Sequence, residues 1–261
     1  MSAELACRVV GAGPPLLLVN GYAASSADWD PAFLAALGES FEVICPDNRG
    51  VGNSALGPGE LTIDAMAGDL EALLDARGLD RLLVVGWSLG GFVAQRLARR
   101  APKRVAALAL LATDPGGPDS VAAAPAAWAR LTDHSGSERE QASRLLSLLF
   151  PPGLAEDIDR QFGAVVAAAR AQLSSATLTA QEEAMAAWHR NGSEAGEKVA
   201  DPPPTLILHG ELDEVIPVAN AAPLAAHWSG ARVELLAGCG HALMAQEPQR
   251  SAESIRALVR P

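Results

Sequence analysis

The sequence predicts an α/β protein: a mostly parallel twisted sheet with helices on both faces and an inserted all-helical cap. Three observations carry this. Short apolar runs bounded by turn residues alternate with longer stretches of helical period, the pattern of a sheet wrapped by crossover helices. Most of the runs are apolar almost throughout, as strands covered on both sides must be. The alternation then stops between "TDPGGPDS" (113–120) and "DPPPTL" (201–206), where helix signals fill the interval.

Taken in order, the strand candidates are a weak "ACRVVG" (6–11), then "PLLLVN" (15–20), "FEVICP" (41–46), "RLLVVG" (81–86), "VAALALLA" (105–112), "PTLILHG" (204–210) and "RVELLAG" (232–238). Between the third and fourth, Thr62 to Arg77 reads as an amphipathic helix. Met66, Leu70, Leu73 and Leu74 share one face, Asp64 lies in the first turn and Gly78 follows the end. A second helix covers 90–100, and a last one runs from Pro248 to Val259, with proline at a start that tolerates it. Inside the interrupted interval, "SERE" (137–140) and "TAQE" (179–182) match the capping box, in which a hydroxyl and a carboxylate satisfy free backbone N–H groups at a helix start. The division expected is therefore a core of 1–114 and 201–261, with 115–200 as a helical cap whose apolar underside lies over one edge of the sheet.

A chain of 261 residues with 49% hydrophobic and 20% charged residues buries a sizeable core without staples. The three cysteines, Cys7, Cys45 and Cys239, cannot all pair within one chain, which fits a reducing compartment. No uninterrupted apolar run reaches membrane-spanning length, and the start lacks a basic segment followed by an apolar one, so a cytoplasmic product without a membrane partner is expected. The net charge of −11 opposes a nucleic-acid partner, which requires clustered cations. Arg130, Arg139, Arg144, Arg160 and Arg170, interleaved with Asp133, Glu138, Glu140, Glu156, Asp157 and Asp159, read as solvated helix surface.

The chemistry concentrates in "LLVVGWSLGGFVAQRL" (82–97). Here Gly-x-Ser-x-Gly stands between a strand and a helix, the setting in which a serine is held on a sharp, strained turn with its hydroxyl clear of the sheet. At a helix start, the amide of Leu89 is free and the helix dipole favours developing negative charge. A serine hydroxyl is a weak nucleophile at neutral pH and needs an oriented base, so a histidine and a carboxylate are expected downstream. His241, in "LLAGCGHALMAQEP", is the histidine that lies in a loop directly after a strand. His209 reads as packed, His227 as helical, and His134 and His189 belong to the cap, from which the two can touch a substrate. Asp213, in "LILHGELDEVIP", supplies the carboxylate, with Glu211, Glu214 and Asp114 as competitors. A second oxyanion donor is expected from the amide of Tyr22, because Gly21 lets the chain double back after a strand; losing one such donor costs about 10² to 10³ in rate. Pocket candidates are Tyr22, Trp87, Trp128, Phe150, Phe162 and Trp188, the last four at helical positions that serve equally as core. "VVGAGPP" (9–15) lacks the third glycine of a dinucleotide site. Metal-site motifs are missing too, so no cofactor or metal is expected.

These segments resemble the α/β-hydrolase fold superfamily, in its esterase-like branch with a helical cap. "CPDNRGVGNS" (45–54) is similar to the family's Asp-x-Arg-Gly-x-Gly-x-Ser turn, where Asp47 and Arg49 would be structural. "VGWSLGGFVAQ" resembles the pimeloyl-acyl-carrier-protein methyl ester esterases, and "PDNRGVGNSA" the non-haem haloperoxidase-like and lactonase-like members. Asn20 departs from the family, which commonly has His before the oxyanion-loop glycine. The resemblance implies ester hydrolysis through an acyl-enzyme on Ser88, with a small-molecule ester or lactone as partner. Lactone hydrolysis, C–C hydrolysis and perhydrolysis use the same triad, and a ligand-binding protein of this fold with little turnover is the alternative from another class. An acyl-carrier-protein partner is implied only by the local "GWSLGG" likeness and is opposed by the negative charge.

Overall fold

A computed structural model describes residues 3–190 and 198–259. Part of the expected cap, residues 191–197, lies outside the described residues, as do the two residues at either end of the chain. Seven strands form one sheet: β1 (Cys7–Val10), β2 (Pro15–Val19), β3 (Glu42–Pro46), β4 (Leu82–Trp87), β5 (Val105–Leu111), β6 (Thr205–Gly210) and β7 (Arg232–Leu236). Their order is β1-β3-β2-β4-β5-β6-β7. Only β1 runs antiparallel to its neighbour; the other pairings are parallel. The expected α/β class with a mostly parallel sheet is the observed one.

The pleat sends alternate residues to opposite faces, and the sequence makes both faces apolar. Leu17 and Val19 of β2, Val84 of β4, and Leu108 and Leu110 of β5 pack into one core, with α2 (Ile63–Ala76), α3 (Leu89–Arg100) and α8 (Ala221–His227). Leu16, Leu18, Leu83, Val85, Ala109 and Leu111 face the other core, with α1 (Pro31–Gly38), α9 (Leu243–Gln246) and α10 (Pro248–Arg256). Edge strand β7 is the exception: Val233 and Leu235 are exposed.

The helices begin and end where side chains supply caps. Thr62 accepts the Ala65 amide at the start of α2, and Asp30, unassigned in the sequence reading, accepts the Phe33 amide and starts α1. The last helix closes at Arg256, short of the expected Val259.

Between β5 and β6 the described chain forms a 3-10 turn (Gly117–Asp119) and four α-helices, α4 (Pro125–Leu131), α5 (Glu138–Leu149), α6 (Pro152–Arg170) and α7 (Ser175–Arg190). The capping box at "SERE" forms: Ser137 Oγ accepts the Glu140 amide, and Glu140 accepts the Ser137 amide. The one at "TAQE" does not. Ser174 Oγ accepts the Thr177 amide, so α7 starts a turn earlier and Thr179 lies inside it. An available hydroxyl upstream took the capping role.

The turn after β3 is held by charge. Arg49 Nε and Nη2 each lie 2.6 Å from Asp69 of α2, with both side chains buried. Asp69 also accepts the Ala3 amide at 2.6 Å. Removing one partner would leave the other charge buried and unpaired, a cost of about 3 to 5 kcal/mol. Asp69→Ala is therefore expected to lose that much stability in denaturant unfolding; a loss below 1 kcal/mol, roughly the worth of a surface ion pair, would contradict the assignment.

Candidate active site

The loops that matter leave the carboxyl ends of β2, β4, β5, β6 and β7, where ligands bind in open parallel sheets. Ser88 follows β4 and precedes α3. Its backbone has φ 55° and ψ −123°, a left-handed conformation that costs a residue with a Cβ of order 1–3 kcal/mol and persists only when its surroundings enforce it.

The surroundings are three glycines. A Cβ on Gly86 would lie 2.3 Å from the Gly90 carbonyl oxygen, one on Gly90 would lie 2.2 Å from that of Val19, and one on Gly91 would lie 2.4 Å from Thr113 Oγ1. Helix and strands approach too closely for any side chain there. Thr113 donates to the Ser88 carbonyl, and the Ser88 amide donates to Leu111. The turn is thereby fixed from both sides.

His241 and Asp213 meet. His241 Nδ1 lies 2.8 Å from Asp213 Oδ2, and both are buried. The other carboxylate oxygen accepts the amides of Val215 and Ile216, each at 2.9 Å. Burial pushes the Asp213 carboxyl up, but His241 and His209 outweigh it and hold the pKa at about 2. An ionised carboxylate only accepts, so Nδ1 carries a proton, and in the neutral imidazole that leaves the lone pair on Nε2.

The competing carboxylates lie elsewhere. Glu211 is exposed, and Glu214 is exposed and faces Arg130 at 3.7 Å. Asp114 pairs with His189 Nε2 at 2.9 Å and accepts the Trp188 indole N–H at 3.2 Å.

Trp87, adjacent to Ser88, ties the two strand ends together. Its indole N–H donates to the His241 carbonyl at 3.0 Å, and its ring lies 5.4 Å from the imidazole. Ser88 and His241 line the same cavity of about 920 Å³, roofed by the inserted helices.

Of the expected lining residues, Tyr22, Trp87, Trp128, Phe150 and Phe162 border this cavity. Trp188 does not. Fully buried, it stacks on Phe92 at 5.1 Å and spends its N–H on Asp114, so it belongs to the core.

The turn after β2 lies against the serine. A Cβ on Gly21 would meet the Trp87 ring at 2.9 Å and Ser88 Cβ at 3.3 Å. Asn20 ties this turn: its Nδ2 donates to the Pro46 carbonyl at 3.0 Å, while its backbone carbonyl accepts from Asn48 Nδ2. The Tyr22 hydroxyl donates to Glu182 of α7 at 2.5 Å, and the Ala23 amide donates to Gln181 at 2.9 Å. The inserted helices are thus fastened to the turn itself. Leu89 occupies the first position of α3, where backbone N–H groups have no partner within the helix.

Three features go further than the sequence reading. His209, read as packed, is fully buried, but its Nε2 also lies 3.4 Å from Asp213 Oδ2 while donating to the Ile216 carbonyl at 2.7 Å. His189 borders the cavity on Asp114. Arg170, read as solvated surface, is 8% exposed and lines the cavity. Its place in an Ala-rich run at the end of α6, away from the acidic residues of that helix's start, was the available signal.

A mostly parallel sheet whose strand–serine–helix turn shares a cavity with an imidazole, itself backed by a buried carboxylate, defines the class. A family model described as alpha/beta hydrolase fold matches residues 14–248, and the chain belongs to that family. It is 28% identical to a pimeloyl-acyl-carrier-protein methyl ester esterase of Nitrosomonas europaea, over 98% of this chain and 100% of that one. It is 29% identical to a non-heme haloperoxidase of Rhodococcus erythropolis, over 89% and 87%. A match to a putative carbamate hydrolase of Azorhizobium caulinodans, at 36% identity, spans 42% of this chain and 41% of that protein. The chain thus spans less than half the length of that relative. Among solved structures, a thermophilic esterase from Thermogutta terrifontis superposes with TM-score 0.77 and 29% identity, over 99% of this chain and 93% of that one. Among the described residues, no helix is long and apolar enough to cross a membrane.

Asp213 has a pKa lowered from 3.8 to about 2 by folding. Its ionised form therefore adds stability that is complete above about pH 4 and lost as pH falls through 2, in total about 2 kcal/mol. The stability difference between the wild-type protein and Asp213→Asn is expected to shrink by that amount between pH 5 and pH 2 in urea unfolding. A difference that stays constant across that range would show that the carboxylate is not held in this way.

Proposed function

We propose that the protein is a serine hydrolase that cleaves a carboxylic ester of small or medium size with an apolar body, through an acyl-enzyme on Ser88. One observation carries the reading: Ser88, on its strained turn, opens into the cavity bordered by His241, whose Nδ1 is bonded to a buried, ionised Asp213.

In this reading, His241 Nε2 takes the proton from the Ser88 hydroxyl as the oxygen attacks the ester carbonyl. The tetrahedral anion is met by the amides of Leu89 and Tyr22, and the dipole of α3 adds to their field. His241 returns the proton to the leaving alcohol. Water then attacks the acyl carbon as it gives a proton to the same nitrogen, and the second tetrahedral anion collapses with breakage of the acyl–Oγ bond, His241 returning the proton to the Ser88 oxygen as the acid leaves. Asp213 keeps the imidazole in the Nδ1–H tautomer and stabilises its cationic form without taking the proton.

The strain at Ser88 serves this sequence by presenting the hydroxyl before substrate arrives, so that the folded protein has already met the cost of orientation. The apolar side chains that border Ser88 and His241, such as Trp87, Ala242 and Met244, lower the local polarity and so strengthen these interactions.

A series of p-nitrophenyl esters of increasing acyl length provides the test. The wild-type protein is expected to turn over at least part of the series, with Ser88→Ala and His241→Ala each lowering kcat by about 10³-fold or more while leaving the circular dichroism spectrum unchanged. Full activity in the Ser88 variant would refute the nucleophile.

A further inference from the structure

Arg170 closes α6 and is buried at the cavity wall, yet its Nε and Nη1 have no hydrogen-bond partner. A guanidinium taken out of water without a counter-charge is costly, and proteins pair such groups or reserve them for a ligand.

The nearby carboxylates are already engaged. Asp47 accepts the amides of Ser26 and Asn53. Asp28 accepts from Ser25, Asp30 caps α1, and Asp114 holds His189. Glu182 receives the Tyr22 hydroxyl and contacts His134 Nε2 at 2.7 Å. Among the described residues, no carboxylate forms an ion pair with Arg170.

Arg170 also stands beside the Tyr22 hydroxyl, where its charge favours the phenolate against the larger upward pushes of burial and Glu182. The backbone of the same tyrosine follows Gly21, which lies against Ser88. The tyrosine side chain therefore leads from the reacting end of the cavity to the cation.

We infer that Arg170 is an anion subsite, and that the substrate is an ester bearing a free carboxylate at the far end of a short apolar body, such as the half-ester of a dicarboxylic acid. A single guanidinium matches one negative charge, which favours a carboxylate over a phosphate dianion. This rests on the hydrolase reading only for the identity of the other end of the molecule; the charge pairing stands without it.

The test compares monomethyl adipate, which carries the charge, with dimethyl adipate, which does not. Binding of each to the Ser88→Ala protein and to the Ser88→Ala, Arg170→Gln double variant is measured by titration calorimetry. Hydrolysis of each by wild type, Arg170→Gln and Arg170→Lys is followed in a pH-stat.

On Ser88→Ala the monoester is expected to bind about tenfold or more tighter than the diester, and the double variant to lose that preference. The monoester-to-diester ratio of kcat/KM should collapse in Arg170→Gln and return in part in Arg170→Lys. Equal binding of the two esters to Ser88→Ala, a comparison that needs no change at Arg170, would overturn the subsite, as would a preference that survives Arg170→Gln. A binding preference that depends on Arg170, with neither ester hydrolysed by wild type, would uphold the subsite and overturn the ester-hydrolase reading instead.

Discussion

Much of this molecule is organised around a single close approach: the first turn of α3 runs against the ends of β2 and β4 with no room for a Cβ at Gly86, Gly90 or Gly91. That contact forces Ser88 into a left-handed conformation and lifts its side chain off the sheet. It can persist because the strands beneath are fully buried and apolar on both faces, so that the fold over-determines a geometry the serine alone would avoid. The sheet does not merely support the turn. It places the loops after β6 and β7 beside it, which is how an imidazole far away in the chain borders its cavity with a buried carboxylate behind it.

The parts legible in the sequence are those set by local pattern. Central strands appear as continuous apolar runs because both faces are covered, and α2 announces itself through Thr62, Asp64 and Gly78. Ser88, Asp213 and His241 could be picked out because each sits in a loop just after a strand, where turn residues interrupt the apolar pattern. What the sequence hid depends on the packing of distant segments. Trp188 was a pocket candidate on helical position alone, and only its stacking on Phe92 puts it in the core. Asp114 and His241 were compatible in sequence, but His189 of the insertion takes Asp114 instead. Ser174 captured a helix start that "TAQE" advertised, because capping depends on where the preceding turn leaves the chain. Arg170 was hidden for the opposite reason: an arginine on a helix is normally solvated, and burial of the cation comes from the way the insertion closes over the cavity.

The insertion is tied to the chemistry rather than merely laid over it. Tyr22 and Ala23, in the turn beside Ser88, bond to Glu182 and Gln181 of α7, and the Ala242 amide, next to His241, donates to the Leu149 carbonyl at the end of α5 at 3.0 Å. The same helices line the cavity with apolar side chains and bring the Arg170 guanidinium into it. Any movement of these helices would therefore carry the turn after β2 and the loop after β7 with it, coupling the shape of the cavity to the groups that border it.

The most direct measurement is covalent. An alkyl fluorophosphonate reacts with a serine only when an adjacent base activates the hydroxyl, and mass spectrometry of the digested adduct locates the modified residue. The account predicts a single stoichiometric adduct on Ser88 in the wild-type protein and none in the His241→Ala variant. An unmodified Ser88, or labelling that is indifferent to His241, would contradict it.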